Sequence, residues 1–170
     1  MPSAGFSQEI GGKQKMMLRH SLETLLQRTS YREIELIVID GGELPTYTIK
    51  DLSDLTANTL GEGRWIHCSS TEKYSYSQRM NQAAKQARGE FLLQLNDDTE
   101  LIEPQAIGSM LAHAQEPKIG VVGSLLLFPN GKVQHAGVAI DNLAPRHPWA
   151  GCWPKRLPPG MLSSLKSFQA

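Results

Sequence analysis

Hydrophobic side chains recur at helical spacing in some stretches of the chain and in short continuous runs in others. The first helical stretch has four leucines on one face: Leu18, Leu22, Leu25 and Leu26. A run rich in β-branched residues follows at 34–39 and ends at Asp40, with Gly41 and Gly42 behind it. Short runs of this kind before glycines are typical of buried strands, so the pattern predicts a helix, a strand and a loop.

The same alternation continues further along the chain. Another helix is predicted with these residues on its inner face: Tyr76, Met80, Ala83, Ala84 and Ala87. The apolar run 91–95 follows this helix after Gly89 and predicts a second buried strand. Asn96 stands directly behind it.

Two further runs, 121–128 and 132–140, flank the turn sequence Pro129, Asn130, Gly131, which predicts a β-hairpin. Strands this apolar are not expected to face water, and their alternation with helices indicates a mainly parallel sheet flanked by helices. The predicted fold class is therefore α/β. Because ligands on such sheets bind at the carboxyl ends of the strands, we expect Asp40 and the segment 96–98 to line one crevice.

Composition narrows the class of protein. The chain has 170 residues, 40% of them hydrophobic, which suits a compact domain with a core. Its seventeen basic and seventeen acidic side chains give no net charge, which argues against nucleic acid as a partner. Cys68 and Cys152 have no CxxC spacing, so no disulfide framework or zinc knuckle is indicated. We find no signal or transmembrane segment and expect a cytoplasmic protein, with peripheral contact at the inner face of the membrane left open.

The end of the chain differs in composition from the rest. After Asp141 the sequence has no acidic residue, four basic residues and five of the ten prolines. This composition predicts an irregular, basic tail over 142–170 that follows a folded domain at 14–141.

The acidic turn at 96–98 is the most informative candidate site. Asn96, Asp97 and Asp98 follow the predicted strand 91–95 directly. Adjacent carboxylates on a short turn suit a hard divalent cation, and a cation with open positions can bind the oxygens of a diphosphate. The alternative for Asp97 and Asp98 is a solvated carboxylate on a turn or at a helix start.

Three segments carry a family resemblance, in order, over most of 18–140: LRHSLETLLQRTSYREIELIVIDGG, SYSQRMNQAAKQARGEFLLQLNDDTELIEP and GVVGSLLLFPNGKVQHAGVAI. Together they resemble family 2 glycosyltransferases of the bacterial surface-polysaccharide type. The resemblance implies the GT-A fold, a Rossmann-like nucleotide-diphospho-sugar transferase fold, in incomplete form and with a β-hairpin after the metal motif. It also implies inverting transfer of a sugar from a nucleotide-diphosphate donor to a hydroxyl of a glycan or lipid-linked acceptor.

The resemblance also implies a role for each candidate residue. Asp98 aligns with the closing carboxylate of the DxD-like motif and would bind the Mg²⁺ or Mn²⁺ that bridges the donor phosphates. Asn96 and Asp97, the first and middle positions of the motif, are expected at the donor nucleotide. Asp40 resembles the acid that accepts hydrogen bonds from the base, with a plain turn former as the alternative. Arg79 would contact the diphosphate at the start of its helix.

His135, in the second hairpin strand, is placed near the active-site face by the resemblance, and a packing role is its alternative. No catalytic residue is assigned. An inverting transferase needs a general base, which the family supplies downstream of the metal motif, where no acid follows Asp141.

The chain is therefore expected to be cut short at both ends, because GFSQEIGGKQKMM also holds at most a few residues of the family's first strand. Open sheet edges would then favour self-association. The functions left open are a hexosyltransferase-like enzyme, a catalytically silent nucleotide-sugar binding fragment without the general base, and a fragment with no independent function. A Rossmann dehydrogenase is disfavoured, since the sequence has no GxGxxG run.

Overall fold

Residues 1–10, 12–141, 144–158 and 167–169 are described by the computed structural model. Their packing separates them into two units. Unit 1 comprises Met1–Gln27 and Arg32–Thr99, and unit 2 comprises Arg28–Tyr31 and Glu100–Ala170. Part of the predicted tail, at 142, 143, 159–166 and 170, lies outside the described residues. The boundary predicted at 141 stays a prediction.

Unit 1 contains two strand pairs and three helices among its described residues. In chain order they are β1 (Ser7–Ile10), β2 (Lys13–Met16), α1 (Met17–Arg28, whose last residue belongs to unit 2), β3 (Leu36–Asp40), α2 (Thr46–Leu60), β4 (Trp65–Ser69) and α3 (Tyr76–Ala84). Strands β1 and β2 form an antiparallel hairpin. Strands β3 and β4 pair in parallel, with Asp40 opposite Ser69, and α2 connects them as a crossover helix.

The first predicted helix and strand are confirmed. All four leucines of the α1 pattern are at most 2% exposed: Leu18, Leu22, Leu25 and Leu26. Val38 and Ile39 of β3 are fully buried. Burial of each such side chain contributes on the order of 1.5–3 kcal/mol, so the α1 and β3 residues form the main apolar core of unit 1.

The strand predicted at 91–95 is wrong. The segment has no strand pairing within the described part of the chain, and Phe91, Leu92 and Leu93 are 41%, 63% and 43% exposed. One edge of β3 pairs with β4, and at the other Pro2 forms a parallel bridge with Ile39. A strand needs a partner for its backbone N–H and C=O groups. Both edges of β3 already have a partner, so the segment 91–95 cannot pair with β3.

The second helix predicted is confirmed as α3, and its predicted inner face is confirmed only in part, with Ala83 buried, Met80 half-buried and Ala84 exposed. Its buried residues are Arg79 and Ala83, whereas Tyr76 is 42% exposed. The helix begins after Ser75, whose side chain caps it by accepting from the Gln78 N–H at 3.5 Å. The helix thus directs one charged side chain, that of Arg79, inward.

Unit 2 contains helix α4 (Ala106–Ala114) and short strands: β5 (Glu100–Leu101), β6 (Leu125–Leu127), β7 (Val133–His135), β8 (Ala139–Asp141), β9 (Ala144–Arg146) and β10 (Ser167–Gln169). One sheet has the order β5-β10-β6-β7, in which β10 runs parallel to β6. Strands β8 and β9 form a separate antiparallel pair. A 3₁₀ turn spans Pro154–Arg156.

The predicted hairpin is confirmed in a shorter form. Strands β6 and β7 pair antiparallel, and their turn closes through a hydrogen bond from the Gly131 N–H to the Phe128 carbonyl at 2.8 Å. Gly131 has φ +78°, a conformation that favours glycine. The end of the run 132–140 joins β8 instead, so the hairpin is shorter than its sequence pattern.

The α/β class is confirmed by helices combined with parallel pairs at β3–β4 and β6–β10. These parallel strands lie in small sheets rather than in one continuous sheet. Of the helices in the described residues, none has the length and apolar character needed to cross a membrane.

Candidate functional site

Asp40, at the carboxyl end of β3, is completely buried and organises the loop that follows it. Its Oδ2 accepts a hydrogen bond from the Leu44 N–H at 2.9 Å, and its Oδ1 lies 3.1 Å from His67 Nε2. A carboxylate can only accept, so His67 Nε2 holds the proton in this contact. These bonds close the loop 41–43 and tie its start to β4.

Gly41 allows two charged side chains to approach the backbone of this loop. A β-carbon at Gly41 would lie 2.5 Å from Glu43 Oε1 and closer still to Arg79 Nη2. The Gly41 N–H donates to Glu43 Oε2 at 2.5 Å, and Arg79 Nη2 lies 4.0 Å from Glu43 Oε1. Any other residue at this position would displace one of them. The absence of a side chain at Gly41 thus permits this close approach.

Arg79 is the buried cation of the site, 5% exposed as a residue. Its guanidinium carbon stands 4.8 Å from the centroid of the Tyr74 ring, within the range of a cation–π contact. Its Nε has no hydrogen-bond partner among the described residues. An unpaired buried donor is costly, and such a group often marks the position of an ion or ligand. Arg79 is thus a buried cation whose donors are only partly paired among the described residues.

The acidic turn holds two carboxylates in different environments. Asp97 is half-buried, and its Oδ2 accepts a hydrogen bond from Ser3 Oγ at 2.6 Å, whereas Asp98 is exposed. Burial raises the pKa of Asp97 and the neighbouring Asp98 charge raises it further, while the Ser3 hydrogen bond opposes them. A bound cation would relieve both effects that raise this pKa.

Both carboxylates line a cavity of about 450 Å³ in unit 1, together with Phe6, Ser7, Gln8 and Met17. A second cavity, of about 530 Å³, is lined by Arg19 and Asp51 among other residues. Arg19 and Asp51 form an ion pair with each other, so the charges of that cavity are already compensated. The cavity at Asp97 and Asp98 has acidic groups that no basic side chain of its lining balances.

Hydrogen bonds connect the acidic turn to β3 and to α3. The Ser3 N–H donates to the Ile39 carbonyl at 3.0 Å, so the residue that holds Asp97 also pairs with β3. On the other side, the Tyr76 hydroxyl donates to Asn96 Oδ1 at 3.4 Å. Asp40, Arg79 and the segment 96–98, the residues predicted for the donor site, therefore belong to one connected part of unit 1.

The residues of the turn suit a divalent cation. Carboxylate oxygens are the ligands that Mg²⁺ and Mn²⁺ prefer, and Mg²⁺ is commonly held by one or two carboxylates, substrate phosphates and water. Among the described residues there is no group of three or more His, Cys, Asp or Glu side chains arranged around a metal position. An ion held by Asp98, beside the Asp97 carboxylate, would take its other ligands from a bound molecule and from water.

His135 lies in unit 2 and contacts a second histidine. Its Nδ1 is 3.0 Å from His147 Nδ1, and the rings meet edge to face with centroids 5.0 Å apart. Burial lowers the pKa of His135, and the charge of His147 lowers it further. One ring must donate and the other accept at this distance, so the pair is compatible with at most one proton between its Nδ1 atoms.

Several residues of the site have no counterpart in the sequence-based expectations. Glu43, His67 and Tyr74 contact Asp40, Gly41 or Arg79, and Ser3 contacts Asp97. The sequence signal for Glu43 is its place two positions after Gly41, in a loop that follows a buried strand, where binding residues are common. Ser3 and His67 reach the site through strand pairing, which residue spacing does not reveal.

Comparisons with known proteins agree on a family. The profile described as glycosyl transferase family 2 matches residues 14–142. Uncharacterized protein y4gI of Sinorhizobium fredii is 38% identical over 129 residues, which are 73% of this chain and 13% of that protein. O-antigen biosynthesis protein RfbC of Myxococcus xanthus is 36% identical over 149 residues, 87% of this chain and 11% of that protein. The chain thus spans a small part of these relatives, and no solved structure matches it significantly.

Proposed function

Because the chain belongs to glycosyl transferase family 2, whose fold is of the GT-A type, we propose that unit 1 binds the nucleotide-diphosphate sugar donor of a polysaccharide glycosyltransferase. The buried Arg79 guanidinium, with its unpaired Nε beside the β3 loop, is the observation that supports this best. A diphosphate supplies the negative charge and the acceptor oxygens that this side chain lacks.

The acidic turn would supply the second half of the donor site. Asp98 is the proposed metal ligand, with Asp97 beside it and Asn96 toward the nucleotide. A bound Mg²⁺ or Mn²⁺ would neutralise charge that develops on the departing diphosphate. Asp97 has a raised pKa, and a cation bound at the neighbouring Asp98 would lower it, so ion binding would be accompanied by proton release from Asp97 at low pH.

The buried position of Asp40 favours an indirect role at the donor site. Its carboxylate is buried and accepts hydrogen bonds from Leu44 and His67. We propose that it fixes the loop at the base-binding end of the site, so that backbone groups of the loop, rather than the buried carboxylate, are available to a uracil or thymine ring.

The proposed activity is transfer of the donor sugar, with inversion, to a hydroxyl of a glycan or lipid-linked acceptor in surface-polysaccharide synthesis. The name of the Myxococcus relative, an O-antigen biosynthesis protein, supports this acceptor class. A catalytically silent donor-binding unit is the alternative, favoured by the concentration of the candidate residues at 40–98 in unit 1.

Calorimetric titration with UDP and TDP, with and without Mn²⁺, tests the donor site. We expect metal-dependent binding that Asp98→Ala removes and Arg79→Lys weakens about tenfold, since an ammonium cannot reproduce the planar fork of the guanidinium. Asp54→Ala is the control, because it removes an exposed carboxylate on α2. Equal binding by wild type and Asp98→Ala would contradict the metal assignment. Absence of binding by the folded wild type would contradict the donor site as a whole.

A further inference from the structure

The Glu43 carboxylate lies where an anionic ligand of the loop would be expected to bind. Its Oε2 accepts the Gly41 N–H at 2.5 Å, and its Oε1 is 4.0 Å from Arg79 Nη2. A backbone N–H next to a guanidinium is a common arrangement for binding a phosphate group. The carboxylate of the chain itself has therefore taken up an anion-binding position.

The two partners differ in their freedom to move. The Arg79 side chain is 6% exposed, whereas that of Glu43 is 49% exposed. At 4.0 Å the pair is at the outer limit of an ion pair, and Arg79 Nε remains without a partner in the described residues. Arg79 is thus fixed and incompletely neutralised, and Glu43 is the member that can turn out to water.

Loop closure does not require Glu43. Asp40 already closes the loop through its hydrogen bond from the Leu44 N–H. Gly42 has φ +90°, and a β-carbon built at Gly42 would have no other atom within 4 Å. The loop backbone therefore has room to adjust between these residues. The loop is therefore held closed by other hydrogen bonds, and the contact of Glu43 with Gly41 and Arg79 can break without opening it.

We infer that Glu43 is an internal competitor of the ligand, which occupies the anion position formed by Gly41 and Arg79 in the free protein and leaves it when a diphosphate binds. This inference rests on the donor site proposed above. The single Gly41 N–H cannot donate to the Glu43 carboxylate and to a diphosphate oxygen at the same time, so the apparent affinity for the diphosphate is reduced by the fraction of molecules in which Glu43 is bound.

Glu43→Gln tests this competition, because the neutral amide can still accept the Gly41 N–H. We expect Glu43→Gln to bind UDP about tenfold more tightly than wild type in calorimetric titration at fixed Mn²⁺. Glu62→Gln is the matched control: it removes the same charge from an exposed loop at the opposite, amino-terminal end of β4, and its affinity should equal that of wild type. Inorganic pyrophosphate serves as a second probe that has no nucleotide.

The outcomes separate this inference from the proposed function. Unchanged or weaker UDP binding by Glu43→Gln, with wild type still binding, would overturn the competition and leave the donor site intact. Tighter pyrophosphate binding by Glu43→Gln without any UDP binding would support the competition and contradict the nucleotide donor. No binding of either probe to wild type or Glu43→Gln would overturn both. An equal gain in UDP affinity in Glu62→Gln and Glu43→Gln would show that the effect comes from the net charge of the protein, and it would overturn the competition.

Discussion

At the scale of single residues, the site is built from charged groups whose burial is unfavourable for the free protein. Arg79 is buried beside a loosely bound Glu43, and Asp97 is half-buried next to Asp98. Groups of this kind lower stability unless a partner completes them, and they concentrate at functional sites. The buried charges that lower the stability of the free protein are thus found in both parts of the proposed donor site, the Arg79 loop and the acidic turn.

We predict that Asp97→Asn stabilises the metal-free protein at neutral pH. Burial raises the pKa of Asp97 above its ordinary value of 3.8, so the folded state binds more protons than the unfolded state as pH rises from that value. The free energy of unfolding therefore falls with rising pH until Asp97 has ionised in the folded state. The asparagine of Asp97→Asn does not ionise, so the variant avoids this loss of stability. Because the site is half-exposed and screened by solvent, the gain should be less than about 1 kcal/mol.

Urea unfolding at pH 4 and pH 7 in the presence of a chelator measures this effect. Asp98→Asn is the matched control, since it removes the neighbouring exposed charge and should have a smaller effect. If Asp97→Asn were less stable than wild type at pH 7, the hydrogen bond from Ser3 would outweigh the burial of the carboxylate.

At the scale of elements, sequence patterns succeeded where local spacing decides the structure. The leucines of α1 and the turn around Gly131 are defined by helical periodicity and by backbone conformation, and both were predicted. The segment 91–95 has the composition of a strand, but a strand also needs an edge to pair with. The edge of β3 opposite β4 is engaged by Pro2, a contact that sequence periodicity does not contain.

We predict that Leu92→Gln changes the free energy of unfolding by no more than about 0.5 kcal/mol, because Leu92 is 63% exposed. Leu22→Ala, in the core of unit 1, should cost about 2–5 kcal/mol. Chemical denaturation of the two variants provides the comparison. A comparable cost for Leu92→Gln would mean that the segment is buried as the sequence pattern indicated.

In unit 2, we predict that the histidine pair makes stability depend on pH in the acidic range. The pKa of His135 is lowered from its ordinary value of 6.5, so below that value the unfolded state binds more protons than the folded state. Its contribution to stability is complete above pH 6.5 and is lost as pH falls toward the folded pKa.

Unfolding midpoints between pH 5 and pH 7.5 measure this loss. His147→Gln should reduce it, because it removes the second charge beside His135, while His113→Gln on α4 should retain it. A pH profile that is unchanged in both His135→Gln and His147→Gln would show that the pair does not control the acid sensitivity of unit 2.

At the scale of the whole molecule, the sequence was sufficient for the α/β class and for the family, because both follow from the order of several segments. It was not sufficient for the arrangement of the candidate site. Arg79 was expected at the diphosphate, at the start of its helix, with no statement of its burial, and Glu43 was not considered at all. The burial of Arg79 depends on long-range contacts, which a linear pattern does not contain, whereas the contact of Glu43 with Gly41 is local and its pairing with Arg79 is not.

We predict that ligand protection is confined to one of the two units. With UDP and Mn²⁺, amide hydrogen exchange should slow at 37–44 and around 75–98, because ligand binding stabilises only the conformation that contains the site. Segments of unit 2, such as β6 and β7, should exchange as in the free protein. Protection found only in unit 2 would place the ligand outside the proposed site.

The hydrogen bonds of Asp40 also determine how fast the donor site can respond. Because the carboxylate fixes Leu44 and remains bound to His67, release of Glu43 involves only residues 41–43. Rearrangement of so short a loop takes on the order of nanoseconds to microseconds, far less than a typical encounter with ligand. Glu43 would then lower the association rate constant by the fraction of time it occupies the site, and the lifetime of the complex would be the same with or without it.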